Sequence, residues 1–187
     1  MQSTDSPSPD DVYRVMTVEL VDALKKIFPN GSPNYPGLVL LHSAIDIISS
    51  LSRPISSADT SGEIFKNWVN TYMLPDSSLN CSAADIWGAR CGILHTLSLS
   101  SRGSRTKEAK PLSFLNKESG VARLQEICDR RGHDITIVAI PTYMRAFFKG
   151  ILRFTEQIQI DENLRNRVFH HLKNVSLAIS FELRPQS

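Results

Sequence analysis

The spacing of apolar residues is the feature that most limits what this chain can fold into. In six segments apolar residues recur every three or four positions, the period of one face of an α-helix. Pro, Gly, Asn and Ser cluster between these segments and predict turns. The predicted helices cover residues 12–28, 36–50, 61–74, 82–97, 141–158 and 161–179, and residues 118–131 are a further candidate.

One segment has the composition of a strand. Residues 135–140 (ITIVAI) are apolar, mostly β-branched and few, which indicates a buried strand or extended segment, although a buried helix is also compatible with so short a run. Short connections between helices favour antiparallel packing. We therefore predict a mainly α protein, an antiparallel bundle of about six helices, with one short strand or hairpin as the only β element.

The length of 187 residues suits a single domain. Residues 1–10 are rich in Ser, Pro and Asp and predict a disordered leader. Residues 11–187 then form one helical domain, with a core at 11–110 and a C-terminal helical extension at 111–187. Whether the extension forms a separate subdomain is left open by the sequence.

Composition excludes several classes of protein. The net charge of +2 excludes a basic coat over the whole chain, but not a local basic patch. Three cysteines without CxxC spacing argue against a disulfide framework or zinc ribbon. The sequence shows no secretory signal, and none of its apolar runs approaches the ~18 residues of a membrane span. We therefore expect a cytoplasmic protein without membrane contact. We predict neither metal nor cofactor, because ligand spacing, P-loop, GxGxxG and GxSxG motifs are all missing.

The segment Trp87-Gly88-Ala89-Arg90-Cys91-Gly92-Ile93-Leu94-His95-Thr96 contains an arginine, four further residues and a histidine. It resembles the R-x4–6-H motif of HEPN-domain proteins, small helical bundles of which many are metal-independent ribonucleases. The resemblance covers about residues 12–100, so the core at 11–110 is the HEPN-like part. In catalytic HEPN members the residue after the arginine is usually polar, whereas here it is Cys91.

The resemblance implies a function and partners. Arg90 and His95 would be the catalytic residues, RNA the substrate, and a homodimer the assembly, with the motif facing the partner. A role in bacterial defence or toxin–antitoxin systems follows, with an antitoxin or regulatory protein as a further partner.

The bare motif has little specificity. With 13 arginines and five histidines in the chain, about one match arises by chance, and Arg165 to His170 is indeed a second. Arg90 is the better candidate because it lies among apolar neighbours on its helix, and an arginine there needs a partner. That partner is either RNA phosphate or, in a purely structural role, Asp46 or Asp85. We expect Arg165 and His170 on a solvated face.

Helix geometry restricts how Arg90 and His95 can cooperate. Residues five apart on a regular helix differ in direction by about 140°. The two side chains would converge if the helix frayed after Gly92, or if two chains formed a composite site. Histidine can act as general acid or base, arginine can hold the scissile phosphate, and RNA supplies its own 2′-hydroxyl nucleophile.

Two further groups are candidates for supporting roles. His42 and Asp46 are four apart on one helix and could orient Arg90 or His95, or form an ordinary exposed pair. The basic residues Arg102, Arg105, Lys107 and Lys110 could position RNA phosphates, or form a solvated charge run.

Two hypotheses follow. The first is a HEPN-like protein that binds or cleaves RNA by metal-independent acid–base catalysis. The alternative is a non-catalytic helical interaction module in which Arg90 is a buried structural residue.

Overall fold

The computed structural model describes residues 13–98 and 101–179 of the chain, so the predicted leader lies outside the described residues. This part contains eight α-helices and two β-strands. In chain order they are α1 (Leu20–Ile27), α2 (Tyr35–Ser50), α3 (Gly62–Trp68), α4 (Ala83–Thr96), α5 (Arg102–Arg105), β1 (Leu112–Leu115), α6 (Val121–Arg130), β2 (Thr136–Ala139), α7 (Ile140–Ile160) and α8 (Glu162–Ile179). Two π-helical turns adjoin them: Val15–Glu19 before α1, and Val69–Met73 after α3.

The mainly helical character is confirmed, and local side chains explain where several helices begin. The side chain of Asn34 accepts a hydrogen bond from the Gly37 N–H (2.7 Å) at the start of α2. Asp161 accepts one from the Leu164 N–H (3.0 Å) at the start of α8. Such caps satisfy backbone donors that have no partner inside the helix. These are the polar residues that precede the apolar stripes in the sequence.

The strand β1 (Leu112–Leu115) was not predicted. β2 lies within the ITIVAI segment, as expected, but it pairs in parallel with β1, in the register Leu112↔Thr136 to Leu115↔Ala139. Parallel strands need a crossover rather than a hairpin turn, and α6 supplies it. β1 gives little sequence signal because it has only four residues, of which one is buried.

No helix was predicted between residues 97 and 118, but this segment contains the short helix α5. Ser101 and Ser104 explain it, because each side chain oxygen accepts a hydrogen bond from the backbone N–H of the other. With α5 and α6 included, the described helices number eight rather than about six.

The hydrophobic core draws on both the N-terminal and the C-terminal parts of the chain. α2 contacts α1, α3, α4 and α7, and α7 packs along the π-helical turn after α3. Trp68 is buried there, with ring centroids 6.2 Å from Phe147 and 6.0 Å from Phe154. Across the described residues, none of the helices combines the length and apolarity that crossing a membrane requires.

Candidate functional site

Arg90 lies in the middle of α4 and points towards α2. Its Nη2 donates a hydrogen bond to Oδ2 of Asp46 (2.6 Å), and each side chain is 17% exposed. The two side chains of this pair are therefore mostly buried but still reach solvent. Of the two acids considered from the sequence, Asp46 is the partner.

Asp85 has a different task. Its carboxylate accepts hydrogen bonds from the backbone N–H groups of Ser82 and Lys110, and Ser82 in turn caps the Asp85 N–H. This is the capping box expected at the start of α4, with Asp in place of the usual Glu. It fixes the helix that carries Arg90 and His95.

Arg90 and His95 approach each other within one chain. Nη1 of Arg90 is 3.4 Å from Nε2 of His95. The helix does not fray after Gly92: it continues to Thr96, and Leu97 ends it in the left-handed conformation at φ 49°. The arginine side chain is long enough to span the difference in direction.

The contact makes a ring nitrogen of His95 an acceptor. A guanidinium carries only donors, so in a hydrogen bond between the two side chains Nε2 of His95 accepts. His95 is exposed, in the last turn of α4. A basic nitrogen therefore lies beside the guanidinium at the surface.

Trp87, one turn before Arg90, completes the arrangement. The guanidinium carbon of Arg90 lies 5.0 Å from the centroid of the indole ring, within cation–π distance. Asp46 and Trp87 thus hold the guanidinium in one orientation. Nε of Arg90 and Oδ1 of Asp46 are buried and have no hydrogen-bond partner among the described residues.

His42 lies one turn before Asp46 but is not part of an exposed pair. It is fully buried, and its ring packs 5.7 Å from Tyr143 and 6.2 Å from Phe114 between centroids. Burial, assisted by the charge of Arg90, lowers the pKa of His42 from 6.5 to about 3. His42 is therefore a neutral residue behind the site and makes no hydrogen bond to Arg90 or His95 among the described contacts.

Tyr143 is a site neighbour that the sequence reasoning missed. It is fully buried on α7, and its hydroxyl has no partner among the described residues. Burial raises the pKa of Tyr143 far above its ordinary value, and the nearby Cys81 adds to this. A tyrosine in the predicted apolar stripe of residues 141–158 was the only signal for it.

The four basic residues of the segment after α4 are all exposed. Arg102 and Arg105 lie on α5, and Lys110 forms an ion pair with Asp134 (3.0 Å). Lys107 adopts a positive φ of 61°. Of these four residues, Arg102 lines a cleft together with Trp87, and Lys66 of α3 lines the same cleft.

The second R-x4-H match is built differently. Arg165 donates from Nε to the Ile158 carbonyl (3.0 Å) and from Nη2 to the Gln159 carbonyl (2.7 Å), at the end of α7. His170 is exposed, and its described ring contact is with His171. Arg165 therefore secures the junction between α7 and α8, and none of the described contacts joins Arg165 to His170.

Chemistry that needs a metal finds no obvious ligand set here. Within residues 13–98 and 101–179, no group of three or more His, Cys, Asp or Glu side chains is placed to hold a metal ion.

Comparison of the chain with protein-family models, with curated proteins and with solved structures finds no match.

Proposed function

We propose that this protein binds RNA at the Arg90–His95 site and cleaves it by metal-independent acid–base chemistry. The observation that carries the proposal is the 3.4 Å approach of His95 Nε2 to the Arg90 guanidinium. It puts a proton acceptor and a phosphate-binding cation beside each other at the protein surface. A 2′-hydroxyl and the adjacent phosphate are likewise neighbours in RNA.

The proposed reaction uses only groups of the protein and of RNA. The 2′ oxygen attacks phosphorus, the bond from phosphorus to the 5′ oxygen breaks, and a 2′,3′-cyclic phosphate and a 5′-hydroxyl result. His95 takes the proton from the 2′-hydroxyl and passes it to the leaving 5′ oxygen. Arg90 holds the phosphate and stabilises the added negative charge.

Asp46 and Trp87 support this role by orienting Arg90. With Nη2 fixed on Asp46, the remaining N–H groups of Nη1 and Nη2 are the donors left for phosphate. The phosphate would compete with His95 for Nη1, which frees the His95 lone pair for the proton. Of the four basic residues proposed to hold the RNA backbone, Arg102 lines the same cleft as Trp87.

The wider expectations from the HEPN resemblance belong to the same proposal. They are a homodimer, an antitoxin or regulatory protein as partner, a role in bacterial defence and a cytoplasmic location. We also propose antiparallel packing of the helices, supported by the short connections that join contacting neighbours such as α1 and α2.

Incubation of mixed single-stranded RNA with the full chain in the presence of EDTA tests the proposal. We expect cleavage to 2′,3′-cyclic phosphate ends, and a loss of at least about a hundredfold in Arg90→Ala and His95→Ala, the scale of general acid–base catalysis. His170→Ala, from the other R-x4-H match, is the matched control and should cleave like the wild type. DNA should not be cleaved, because it lacks the 2′-hydroxyl.

The alternative, a non-catalytic interaction module, is favoured by one observation: Arg90 is already paired with Asp46 and stacked on Trp87. It predicts no cleavage by any variant, together with a loss of stability in Arg90→Ala because Asp46 is left without its partner. Absence of cleavage by the wild type, or equal cleavage by wild type and Arg90→Ala, refutes the nuclease proposal.

A further inference from the structure

A cleft beside Arg90 is not used by the chemistry described above. Its volume is about 510 Å³, within the range of ~300–1,000 Å³ typical of small-molecule sites. One wall is formed by Trp87, Gly88 and Cys91 of α4. Arg102 of α5 and Glu108, which follows α5, also line the cleft. We call this cleft the Trp87 cleft.

The Trp87 cleft and the Arg90 site share Trp87. Trp87 lines the cleft and also carries the guanidinium of Arg90, and Cys91 follows Arg90 directly in α4. A phosphate held at Arg90 would therefore have the cleft next to it. A nucleotide attached to that phosphate can reach the cleft without a second binding site.

Besides Lys66, which is paired with Glu63 (2.6 Å), two charged side chains of opposite sign line the cleft. Arg102 and Glu108 are both exposed, and neither side chain forms a hydrogen bond or an ion pair with another residue of the described chain. Arg102 offers N–H donors for a phosphate or a carbonyl oxygen. Glu108 offers two acceptor oxygens and nothing to donate.

A free carboxylate in a base-sized cleft discriminates between nucleobases. Guanine presents two adjacent donors, N1–H and the N2 amine, which match the two oxygens of a carboxylate. Adenine presents an acceptor, N1, beside its amine, and uracil has one donor between two carbonyls. Single-stranded RNA exposes these edges, whereas a duplex hides them.

We propose that the Trp87 cleft binds a guanine base of single-stranded RNA, with Glu108 accepting from N1–H and the N2 amine and Arg102 holding a neighbouring phosphate. The inference rests on the proposed function, since it gives the RNA-binding site its base preference. Glu108 is in this proposal a specificity residue and takes no part in bond cleavage.

Equilibrium binding of nucleoside monophosphates to the full chain tests this without any cleavage. We expect 5′-GMP to bind at least about tenfold more tightly than 5′-AMP, a difference of about 1.4 kcal/mol. 5′-IMP, which keeps N1–H but lacks the N2 amine, should lie between them. Glu108→Gln should reduce the GMP-to-AMP ratio to about threefold or less. Glu156→Gln, an exposed glutamate on α7, is the matched control and should keep the wild-type ratio.

A second arm uses RNA itself. A single-stranded oligouridylate with one internal guanosine should bind more tightly than oligouridylate alone, and the gain should disappear in Glu108→Gln. Retention of the gain for free GMP but not for the oligonucleotide would show a free-nucleotide site and refute the RNA assignment.

These experiments distinguish failure of the guanine site from failure of the nuclease proposal. Equal affinities for GMP and AMP, no binding of either at about 10 mM, or an unchanged ratio in Glu108→Gln overturn the guanine site. RNA cleavage that persists in that case leaves the nuclease proposal standing. A guanine preference that depends on Glu108, in a chain that cleaves nothing, leaves the site standing and removes the nuclease.

Discussion

His42 is a fully buried histidine whose two ring nitrogens have no hydrogen-bond partner among the described residues. Arg90, which is paired with Asp46, is the charged group that acts on the pKa of His42. Tyr143 is a titratable neighbour whose ring packs against it. Burial is the larger cause of its low pKa, and the positive charge of Arg90 adds to it. The folded state therefore holds His42 neutral where an unfolded chain would charge it.

This gives the folded protein a defined acid sensitivity. The unfolded His42 takes up a proton near pH 6.5, and the folded one only near pH 3. Above pH 6.5 neither state is protonated, so the contribution to stability is constant. Between pH 6.5 and 3 the unfolded state is favoured by up to about 1.4 kcal/mol per pH unit. We expect His42→Leu to abolish this part of the decline.

Urea unfolding of wild type and His42→Leu between pH 4.5 and 7.5 measures the difference. At pH 7.5 the variant should be at least as stable as the wild type, because Leu removes a buried polar ring that makes no hydrogen bond. His170→Leu, at an exposed position, should keep the wild-type slope. Parallel pH profiles for wild type and His42→Leu would contradict the prediction.

The sequence could identify the cation of the candidate site but not its surroundings. An arginine among apolar neighbours on a helix implies a partner, and the choice narrowed to Asp46 and Asp85. Helix periodicity alone could not show that Arg90 reaches His95 across about 140°, because that depends on the length and rotamer of one side chain. Tyr143 lies on α7 and Glu108 follows α5, and no sequence pattern links either residue to Arg90.

At the scale of elements, the β1–α6–β2 unit has one side chain that substitutes for a strand. Gln125 on α6 donates from Nε2 to the Ile135 carbonyl (3.0 Å), and its Oε1 accepts from the Ile137 N–H (2.9 Å). β1 occupies the other edge of β2. The amide of Gln125 thus satisfies backbone groups on the edge of β2 that has no strand neighbour.

Gln125→Ala should therefore destabilise the protein by about 1–3 kcal/mol, since it leaves a part-buried N–H and C=O without partners. Arg123→Ala on an exposed face of the same helix is the control, and its effect should stay within about 0.5 kcal/mol. Urea unfolding followed by circular dichroism gives both values. Equal stability of the two variants would show that Gln125 is not needed at the strand edge.

Elements with long apolar stripes could be predicted from the sequence, and short ones could not. α2, α4, α7 and α8 extend over at least 14 residues each, so their period is repeated several times. β1 has four residues and depends on pairing with β2, a contact between distant parts of the chain. α5 depends on a reciprocal Ser101–Ser104 cap and carries no apolar stripe.

At the scale of the whole molecule, the N-terminal and C-terminal parts of the described chain share one buried cluster. It runs from Leu24 on α1 to Leu172 on α8. α7 lies close to the π-helical turn that follows α3. There Gly150 lies against the backbone of Met73 and the ring of Trp68.

The size of residue 150 therefore controls how α7 meets the N-terminal part of the chain. A Cβ at this position would lie 3.1 Å from Met73 Cα and 3.1 Å from the Trp68 ring, and the backbone atom cannot rotate away. Alanine normally stabilises a helix by about 1 kcal/mol relative to glycine, so intrinsic propensity predicts a gain for Gly150→Ala. Overpacking predicts a loss of about 1–3 kcal/mol, and we expect the loss to prevail.

Thermal unfolding distinguishes the gain in stability from the loss by the sign of the change in Tm of Gly150→Ala. Gly150→Ala should lower Tm by about 2–4 °C for each kcal/mol lost, whereas the exposed neighbouring variant Lys149→Ala should leave Tm nearly unchanged. Because the contact joins segments more than 70 residues apart, its loss should lower the single unfolding transition as a whole. A rise in Tm for Gly150→Ala would mean that α7 can move away from Met73 at little cost, and that this junction does not fix the position of α7.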